Sequence, residues 1–387
     1  MSRAVAIVGN PENRRVAFFQ RALGRRGMAP AVVVAYRDLL SGRKPFDEVP
    51  RGAFLRIESP GENFEVERGL LSLGAARAER EGSPHLGAKA LAGLKEDRGR
   101  VLFPRQWYLG YCACLRSLDA AVAARGDLIA LSNAADIAVM CDKRQCHRRL
   151  ERSGISVPPA LGTVTCFDEL VARMESWCAT RVFVKLAHGS SASGVVALER
   201  RREKWLATTT VEMEQCDGET RLYNSLSLRR YTGVVEVRPL IDALAPHRVH
   251  VETWLPKAAL DGRVFDLRVV VITGEPRHMV VRTSRGPITN LHLGNRRGDL
   301  DRLLVKLGEE ATRQLEDTCR RVAQQFPRSM QMGLDVLFVP GMRRHYVLEV
   351  NAFGDLLPRV LHDGQDTYEA QVGAAVEWHG PGRGEER

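Results

Sequence analysis

Three oxygen-bearing side chains near the end of the chain have the types and the spacing of a metal site. Glu349 and Asn351 are two residues apart in an otherwise apolar stretch, so in a strand they share one face. Asp335 lies in the preceding apolar stretch and faces them if the two stretches pair as a hairpin across PGMRR. A buried carboxylate is costly unless a cation or hydrogen bonds compensate it. Together with water and phosphate, three such oxygen ligands fit Mg²⁺.

A second candidate site is the loop of small residues that follows Lys185. The loop reads HGSSASG over residues 188–194. Glycine lets backbone N–H groups approach an anion, serine hydroxyls add donors, and lysine supplies a point charge for a phosphate. The loop residues predicted to bind phosphate are Gly189, Ser190, Ser191, Ser193 and Gly194. Alone the signal is weak, because small-residue hairpin loops are common and a lysine at a strand end is usually solvated. We interpret His188 as a polar group of the loop rather than as an acid–base catalyst.

Two further segments supply groups of the kind that bind a nucleotide. Lys143 opens a helix in the segment CDKRQCHRR. The segment VETWLPK (251–257) places Glu252, an aromatic residue and Lys257 where a strand becomes a linker, and backbone groups of such a linker can read an adenine edge. Leu255 is part of that linker. Trp254 suits adenine packing and an ordinary core position equally well.

The beginning of the chain predicts a parallel α/β domain. A buried strand (4–9), an amphipathic helix and a second strand (30–36) have the spacing of a βαβ unit. The intervening turn, GNPEN, is not the GxGxxG fingerprint of dinucleotide-binding folds. Another strand ends in the SPGEN turn, and ligands bind beyond the carboxyl ends of such strands. Arg56, Glu58 and Ser59 are therefore candidate substrate contacts, with an ordinary turn as the alternative.

The remainder of the chain alternates helices with antiparallel strands. Strands are predicted at 181–186 and 194–199, a long amphipathic helix at 301–326, and a hairpin at the end. We place a domain boundary near residue 130, which gives a Rossmann-like domain over 1–130 and a second domain over 131–378. The second domain divides into subdomains of about 135–250 and 251–378, and residues 379–387 form a frayed tail.

Composition limits the class of protein. The chain has 387 residues, 44% of them hydrophobic and 27% charged, and a formal net charge of +10. The arginine excess suits an anionic partner, although a G+C-rich genome would also produce it. Eight scattered cysteines without a CxxC pair indicate reduced thiols in a cytoplasmic protein. No signal peptide, membrane span or basic tract interleaved with aromatic residues is apparent, so neither a membrane nor nucleic acid is an expected partner.

The ordered set of segments resembles the ATP-grasp superfamily of ligases over residues 130–360. The segment at 142–159 resembles the family's first nucleotide-lysine segment, and 182–195 resembles its second lysine with the mobile phosphate loop. The segments 265–276 and 280–294 resemble those that carry its paired arginines, here Arg268 and Arg282, with Asn290. The segments GLDVL and LEVNAFGD resemble its metal-ligand segments. The branch with the greatest likeness contains glutathione synthetase and the enzymes that add glutamate to ribosomal proteins.

The resemblance implies a fold and a mechanism. The fold would be α/β, with α+β character in the nucleotide domain: an N-terminal parallel α/β domain followed by a two-subdomain ATP-grasp fold. The cofactors would be ATP and Mg²⁺, with Mn²⁺ as a substitute, held by Lys143, Lys185, the loop and the metal set. A substrate carboxylate would attack the γ-phosphate, and Arg268, Arg282 and Asn290 would stabilise the acylphosphate that an amine then displaces.

Two departures from the family pattern and two other functions stay open at this point. The phosphate loop is richer in serine than the usual version, and the hinge lacks the common acidic residue at its end, which leaves Lys257 uncertain as a ribose contact. The alternatives are a phosphotransferase acting on a hydroxyl and a non-catalytic ATP-binding protein. The expected partners are small-molecule or peptide carboxylates and amines, and the oligomeric state is not specified by the sequence.

Overall fold

The computed structural model describes residues 3–43, 46–190, 192–216, 218–353, 357 and 359–378. The predicted tail at 379–387 and the predicted phosphate ligand Ser191 lie outside these residues. Among the described residues no helix combines the length and the apolar character needed to cross a membrane. All eight cysteines belong to the described residues, and none of them is in a disulfide.

The N-terminal unit is a parallel sheet with helices around it. Its elements are β1 (Val5–Gly9), α1 (Arg14–Arg25), β2 (Val32–Ala35), α2 (Tyr36–Leu40), β3 (Phe54–Ile57), α3 (Phe64–Arg80), α4 (Ala88–Ala92), α5 (Pro104–Arg125) and β4 (Ile129–Ala130). The strands are parallel in the order β2-β1-β3-β4. Every residue of β1 and β3 is buried, as expected for strands covered on both faces. The predicted βαβ unit is confirmed.

Loops at the carboxyl ends of β1 and β3 meet beyond the N-terminal sheet. The Asn10 side chain donates to the carbonyl oxygens of Pro60 and Gly61, at 3.0 Å each. Arg56 and Glu58 are buried and paired with each other. The Arg56 guanidinium also donates to Gln331 at 3.2 Å. Arg56 therefore joins the N-terminal sheet to the strand Gln331–Phe338 of the C-terminal sheet, and Glu58 compensates its charge.

The middle unit is an antiparallel sheet with its own apolar core. Helices α6 (Ala134–Met140) and α7 (Lys143–Arg152) lead into it, and its elements are β5 (Ala160–Gly162), α8 (Phe167–Ser176), β6 (Arg181–Leu186), β7 (Val195–Arg201), β8 (Lys204–Cys216), β9 (Glu219–Thr232), α9 (Gly233–Leu244) and β10 (Val249–Thr253). The strand order is β5-β10-β6-β7-β8-β9. The predicted strands β6 and β7 are present, whereas the hairpin of β8 and β9 is an addition to the predicted elements.

The C-terminal unit is built on a second antiparallel sheet. Its elements are β11 (Ala259–Leu260), β12 (Arg263–Ile272), β13 (Glu275–Ser284), β14 (Arg296–Arg297), α10 (Leu300–Gln324), β15 (Gln331–Phe338), β16 (His345–Asn351), β17 (Leu361–His362), β18 (Gln365–Asp366) and α11 (Thr367–Glu377). The sheet has the order β14-β13-β12-β15-β16. The predicted long helix is present as α10, but it is interrupted at Gly308, whose φ of 75° is not helical.

Two large apolar cores hold these units together. Buried residues of the N-terminal sheet, of α5 to α7 and of the C-terminal sheet form one continuous cluster. Residues from Leu161 to Val251 form a second cluster around the middle sheet. The middle unit therefore packs around its own interior, and the other two units share one. The boundary near residue 130 stays a prediction.

Candidate functional site

Strand register places five charged side chains on one face of the C-terminal sheet. Asp335 on β15 is directly opposite Arg268 on β12 and opposite Glu349 on β16. Arg282 on β13 is opposite Asp266, which is two residues before Arg268 and therefore shares its face. The predicted pairing of Asp335 with Glu349 across the hairpin is confirmed as geometry. The roles of these residues stay predictions.

Asp335 is held by both predicted arginines. The Arg268 guanidinium makes a bidentate contact with the carboxylate, including Nη2 to Oδ2 at 3.0 Å. Arg282 Nη2 lies 3.0 Å from Asp335 Oδ1. Each of the three side chains is about one-tenth exposed. Because planar guanidinium groups fit carboxylates and phosphates in the same way, these two arginines are suited to bind a transferred phosphoryl group.

Glu349 and Asn351 are positioned by the end of β16. Glu349 Oε1 lies 3.3 Å from Lys143 Nζ, and the Asn351 amide donates to Gly333 O at 3.3 Å. Burial alone would raise the pKa of Glu349, but Lys143, Lys185 and Arg268 lower it below its usual value. The carboxylate is therefore ionised at neutral pH, which is the state that a divalent cation requires.

Lys185 belongs to a buried chain of polar groups beneath the loop. Its ammonium group lies 2.6 Å from Glu252 Oε1, and His250 Nε2 lies 3.1 Å from Glu252 Oε2. Burial would lower the pKa of Lys185, but Glu252 and Glu349 raise it above its usual value. Lys185 is therefore a fixed positive charge. Glu252 uses both its oxygens to hold this chain in place.

The loop after Lys185 needs its glycines. A Cβ on Gly189 would lie 2.7 Å from Ser193 O, and a Cβ on Gly194 would lie 2.3 Å from a Leu186 carbon. Gly194 also has a φ of 68°. Within the loop, Ser193 N donates to Ser190 O at 2.8 Å. The loop folds back closely on the end of β6, and any side chain at either glycine would open it.

Lys143 reaches the same loop from the start of α7. Its Nζ donates to Gly189 O at 2.7 Å, and its backbone N donates to Ala187 O at 2.9 Å. Asp142 caps α7 by accepting from the backbone N of Arg144 and Gln145. The two predicted nucleotide lysines thus flank one loop, because α7 begins where β6 ends.

The hinge residues lie in different surroundings. Leu255 lines a cavity of 130 Å³. Trp254 packs against Phe183, with ring centroids 5.3 Å apart, and it is absent from the described lining of that cavity. The Lys257 ammonium group is bound to Asp266 at 3.2 Å and to Thr289 Oγ1 at 2.8 Å. The structure therefore gives Lys257 an internal partner, and burial lowers its pKa although Asp266 opposes that effect.

Two adjoining cavities meet at the predicted site. A cavity of 580 Å³ runs from the loops of the N-terminal sheet to the C-terminal sheet, and the 130 Å³ cavity lies next to the hinge. The polar residues that line both are Lys185, Arg268, Arg282, Asn290, Glu349 and Asn351. Lys143, Gly189 and Ser190 line the larger cavity, whereas Glu252, Leu255, Lys257 and Asp335 line the smaller one.

Sequence reasoning missed one group that organises the site. Asp266 is buried and accepts hydrogen bonds from Arg282, Lys257 and Thr289. Its position two residues before Arg268 was the available signal, because both side chains must share a strand face. Burial would raise its pKa, but Arg282 and Lys257 hold it well below its usual value. Asp266 therefore fixes the arginine and the hinge lysine relative to each other.

The buried pair of Lys185 and Glu252 predicts a loss of stability in acid. Burial would raise the pKa of Glu252, but Lys185 and His250 lower it to about 2 from 4.5. A depressed carboxyl pKa adds stability above the unfolded value, and that stability is lost as the pH falls from about 4.5 towards about 2. Urea unfolding at several pH values should show the difference between wild type and Glu252→Gln shrinking across this range. A difference that stays constant with pH would contradict the assignment.

Comparison with known proteins identifies the fold. No protein-family model and no curated protein matches this sequence. Among solved structures, the chain is similar to the ATP-grasp ligase PsnB complexed with minimal precursor, with 14% identity and a TM-score of 0.52 over 97% of this chain and 99% of that chain. The macrocyclase MdnC bound with precursor peptide MdnA, from Microcystis aeruginosa MRC, is 11% identical with a TM-score of 0.55 over 97% and 100%.

A third similar structure is D-alanine–D-alanine ligase from Bacillus anthracis complexed with ATP, which is 12% identical with a TM-score of 0.50 over 97% of this chain and 96% of that chain. Because these likenesses extend over nearly the whole of each chain, they include the N-terminal unit as well as the two antiparallel sheets. The chain has the ATP-grasp fold.

Proposed function

We propose that this protein is an ATP-dependent ligase that joins a carboxylate to an amine through an acylphosphate and releases ADP and phosphate. The observation that carries the proposal is the set of polar residues shared by the two cavities. It combines a lysine, two arginines, a carboxylate and two amides at one junction. A phosphoryl group moving between two bound substrates needs this charge at the point where their sites meet.

We propose that ATP lies with its base in the 130 Å³ cavity beside the hinge and its phosphates beneath the serine-glycine loop. A nucleotide as the ligand is supported by two structures of PsnB, one complexed with AMPPNP and one with Mg and ADP. Lys185 and Lys143 would neutralise the phosphates, since both ammonium groups are fixed beside the loop. Ser190, Ser193 and the loop backbone would add donors.

The donor set fits Mg²⁺ or Mn²⁺. Asp335, Glu349 and Asn351 supply oxygen atoms from adjacent strands, and hard divalent cations prefer oxygen ligands. When bound, the cation would offset the negative charge of the β- and γ-phosphates. The carboxylates are at present compensated by Arg268, Arg282 and Lys143. These three cations are therefore in place to contact the phosphates that a metal ion would bring.

We propose that the 580 Å³ cavity takes the carboxylate and the amine. Arg268 and Arg282 would contact the transferred phosphoryl group and the acylphosphate, and Asn290 would donate a further hydrogen bond. Among the similar structures, PsnB and MdnC are bound to precursor peptides, which supports a peptide substrate. Small molecules are the second substrate class, as in the D-cycloserine synthetase DcsG. We also propose that the protein belongs to the branch of glutathione synthetase and the glutamate ligases, that its domain boundary lies near residue 130, and that it is located in the cytoplasm.

An isotope experiment tests the proposed chemistry directly. Candidate carboxylates labelled with ¹⁸O are incubated with ATP, Mg²⁺ and a panel of amines. An acylphosphate mechanism moves one carboxylate oxygen into the phosphate, so mass spectrometry should detect phosphate carrying one ¹⁸O. Phosphate should appear in step with the amide product. Phosphorylated hydroxyl products without phosphate release would instead indicate a phosphotransferase and overturn the ligase proposal.

A further inference from the structure

His188 opens the phosphate loop and lies where three elements meet. It follows Lys185 by three residues, and its side chain is 1% exposed. The preceding residue is clamped on both sides, because Ala187 O accepts from Lys143 N and Ala187 N donates to Arg248 O, both at 2.9 Å. The backbone at the loop entrance is thus fixed, and the imidazole is the first side chain beyond it.

The imidazole binds the residue that caps the Lys143 helix. His188 Nε2 lies 3.2 Å from Asp142 Oδ2, and a carboxylate only accepts hydrogen bonds, so Nε2 carries the proton. Burial would raise the pKa of Asp142, but the hydrogen bonds from His188 and Gln145 hold it well below its usual value. Burial lowers the pKa of His188. The charges of Arg105 and Arg144 lower it further, whereas Asp142 acts in the opposite direction. The histidine is therefore neutral and its ring orientation is set.

The N-terminal unit supplies the other side of this site. The Tyr108 ring of α5 is stacked on the imidazole, with centroids 4.1 Å apart and planes 27° apart. Arg105 Nη1, also on α5, lies 3.4 Å from His188 Nε2, but this contact is not a hydrogen bond because both nitrogens carry hydrogen. The Arg105 guanidinium also lies over the Tyr108 ring, 5.5 Å from its centroid. The Arg105 guanidinium is bound to Glu81 by hydrogen bonds of 2.7 to 3.0 Å, and Arg248 donates to the same carboxylate at 2.9 Å.

We propose that His188 is a positioning residue that holds the entrance of the phosphate loop against the Lys143 helix and makes that position depend on α5 of the N-terminal unit. This inference rests on the proposed nucleotide site. The inference is independent of the proposed metal ligands and of the paired arginines Arg268 and Arg282, because no described contact joins His188 to any of them. Loss of the contact between His188 and Asp142 would leave Lys143 and Lys185 in place but would make the loop less ordered before nucleotide binds. Binding would then cost more conformational entropy.

Two substitutions separate the hydrogen bond from the bulk of the side chain. In His188→Gln the amide nitrogen occupies nearly the place of Nε2 and can still donate to Asp142, whereas the shorter side chain of His188→Asn cannot reach it. The loss of a hydrogen bond to a charged group should raise the dissociation constant for ADP with Mg²⁺ about tenfold in His188→Asn. In His188→Gln we expect a change of at most about threefold. Titration calorimetry on the full chain measures both values.

The dependence on α5 has a separate test. Arg105 is absent from the described lining of the two cavities, so a direct contact with nucleotide is not its role. Arg105→Gln should nevertheless weaken ADP binding, because Arg105 supports the Tyr108 ring that is stacked on the imidazole. Its effect should not add to that of His188→Asn, because both substitutions act through this stacked contact. Full additivity, or no effect of Arg105→Gln, would overturn the coupling.

Hydrogen exchange distinguishes failure of this inference from failure of the proposed function. The amides of Gly189, Ser190 and Ser193 should exchange faster in His188→Asn than in wild type or His188→Gln, with all three proteins folded by near-UV circular dichroism. Equal exchange and equal ADP binding in both variants would overturn the inference and leave the ligase proposal standing. If wild type binds no ADP, the proposed function fails, and the exchange rates still decide whether His188 holds the loop.

Discussion

Replacement of Glu349 by glutamine is expected to reduce ATP-dependent phosphate release by about 10²–10³-fold, the range seen when one preorganised charge-stabilising group is removed. Glutamine keeps the volume of the side chain but not the charge. Glu349 lines both cavities and is the predicted metal ligand beside Lys143. The residual activity should therefore need a higher Mg²⁺ concentration, which a series of phosphate-release assays at increasing Mg²⁺ measures.

A matched control removes another strand carboxylate that is paired with cations. Glu199 on β7 contacts Arg181 at 2.9 Å and Arg201 at 3.0 Å, and it is absent from the described lining of both cavities. Glu199→Gln should leave phosphate release within about twofold of wild type, as for most substitutions away from buried networks. Wild-type activity of Glu349→Gln at every Mg²⁺ concentration would contradict the metal assignment.

A double substitution separates metal binding from the ion pair with Lys143. If Glu349 acted only by holding Lys143, then Lys143→Met combined with Glu349→Gln would be no worse than Lys143→Met alone. We expect the double variant to be clearly worse, because the carboxylate has a role of its own in binding the cation. A double-mutant cycle on kcat/KM for ATP gives this coupling.

The strands and loops that carry the site could be predicted because their signals are local. Glu349 and Asn351 are two residues apart and therefore share a face in any strand. The PGMRR turn predicts that the stretch containing Asp335 pairs with theirs as a hairpin. Lys185 and the loop glycines are adjacent in the sequence. In each case the strand period or a turn decides the outcome, and both are visible within a few residues.

The contacts between distant segments could not be predicted in the same way. Asp335 is bound by Arg268 because β12 lies beside β15, and strand order depends on how the whole sheet assembles. The link of His188 joins residues from three separated segments, and no local pattern relates Arg105 or Glu81 to the loop. The β8–β9 hairpin was missed because its outer strand is largely exposed and lacks the apolar alternation that marks a half-buried strand.

The second large effect is expected for Asp266→Asn, which should lower the free energy of unfolding by about 3–5 kcal/mol, the cost of breaking a buried ion pair from one side. Asp266 is 2% exposed and compensates two cations at once. After the substitution, Arg282 keeps Asp335 as a partner, whereas Lys257 keeps only the Thr289 hydroxyl among its described partners. A buried ammonium group without a carboxylate is the main source of the loss. Urea unfolding compares the two proteins.

The pH dependence and two further variants test this cause. In Asp266→Asn the folded protein would favour neutral Lys257, so the pKa of Lys257 would fall further below its ordinary value of 10.5. As the pH rises towards 10.5, Lys257 loses its proton in the folded protein before it does in the unfolded chain. The destabilisation caused by Asp266→Asn should therefore shrink over this range. Adding Lys257→Met should restore part of the lost stability. Asp261→Asn is the control, since Asp261 and its partner Arg302 are both about half exposed or more, and exposed pairs contribute at most about 1 kcal/mol. A loss that is independent of pH and is not relieved by Lys257→Met would show that Asp266 does not act by compensating the hinge lysine.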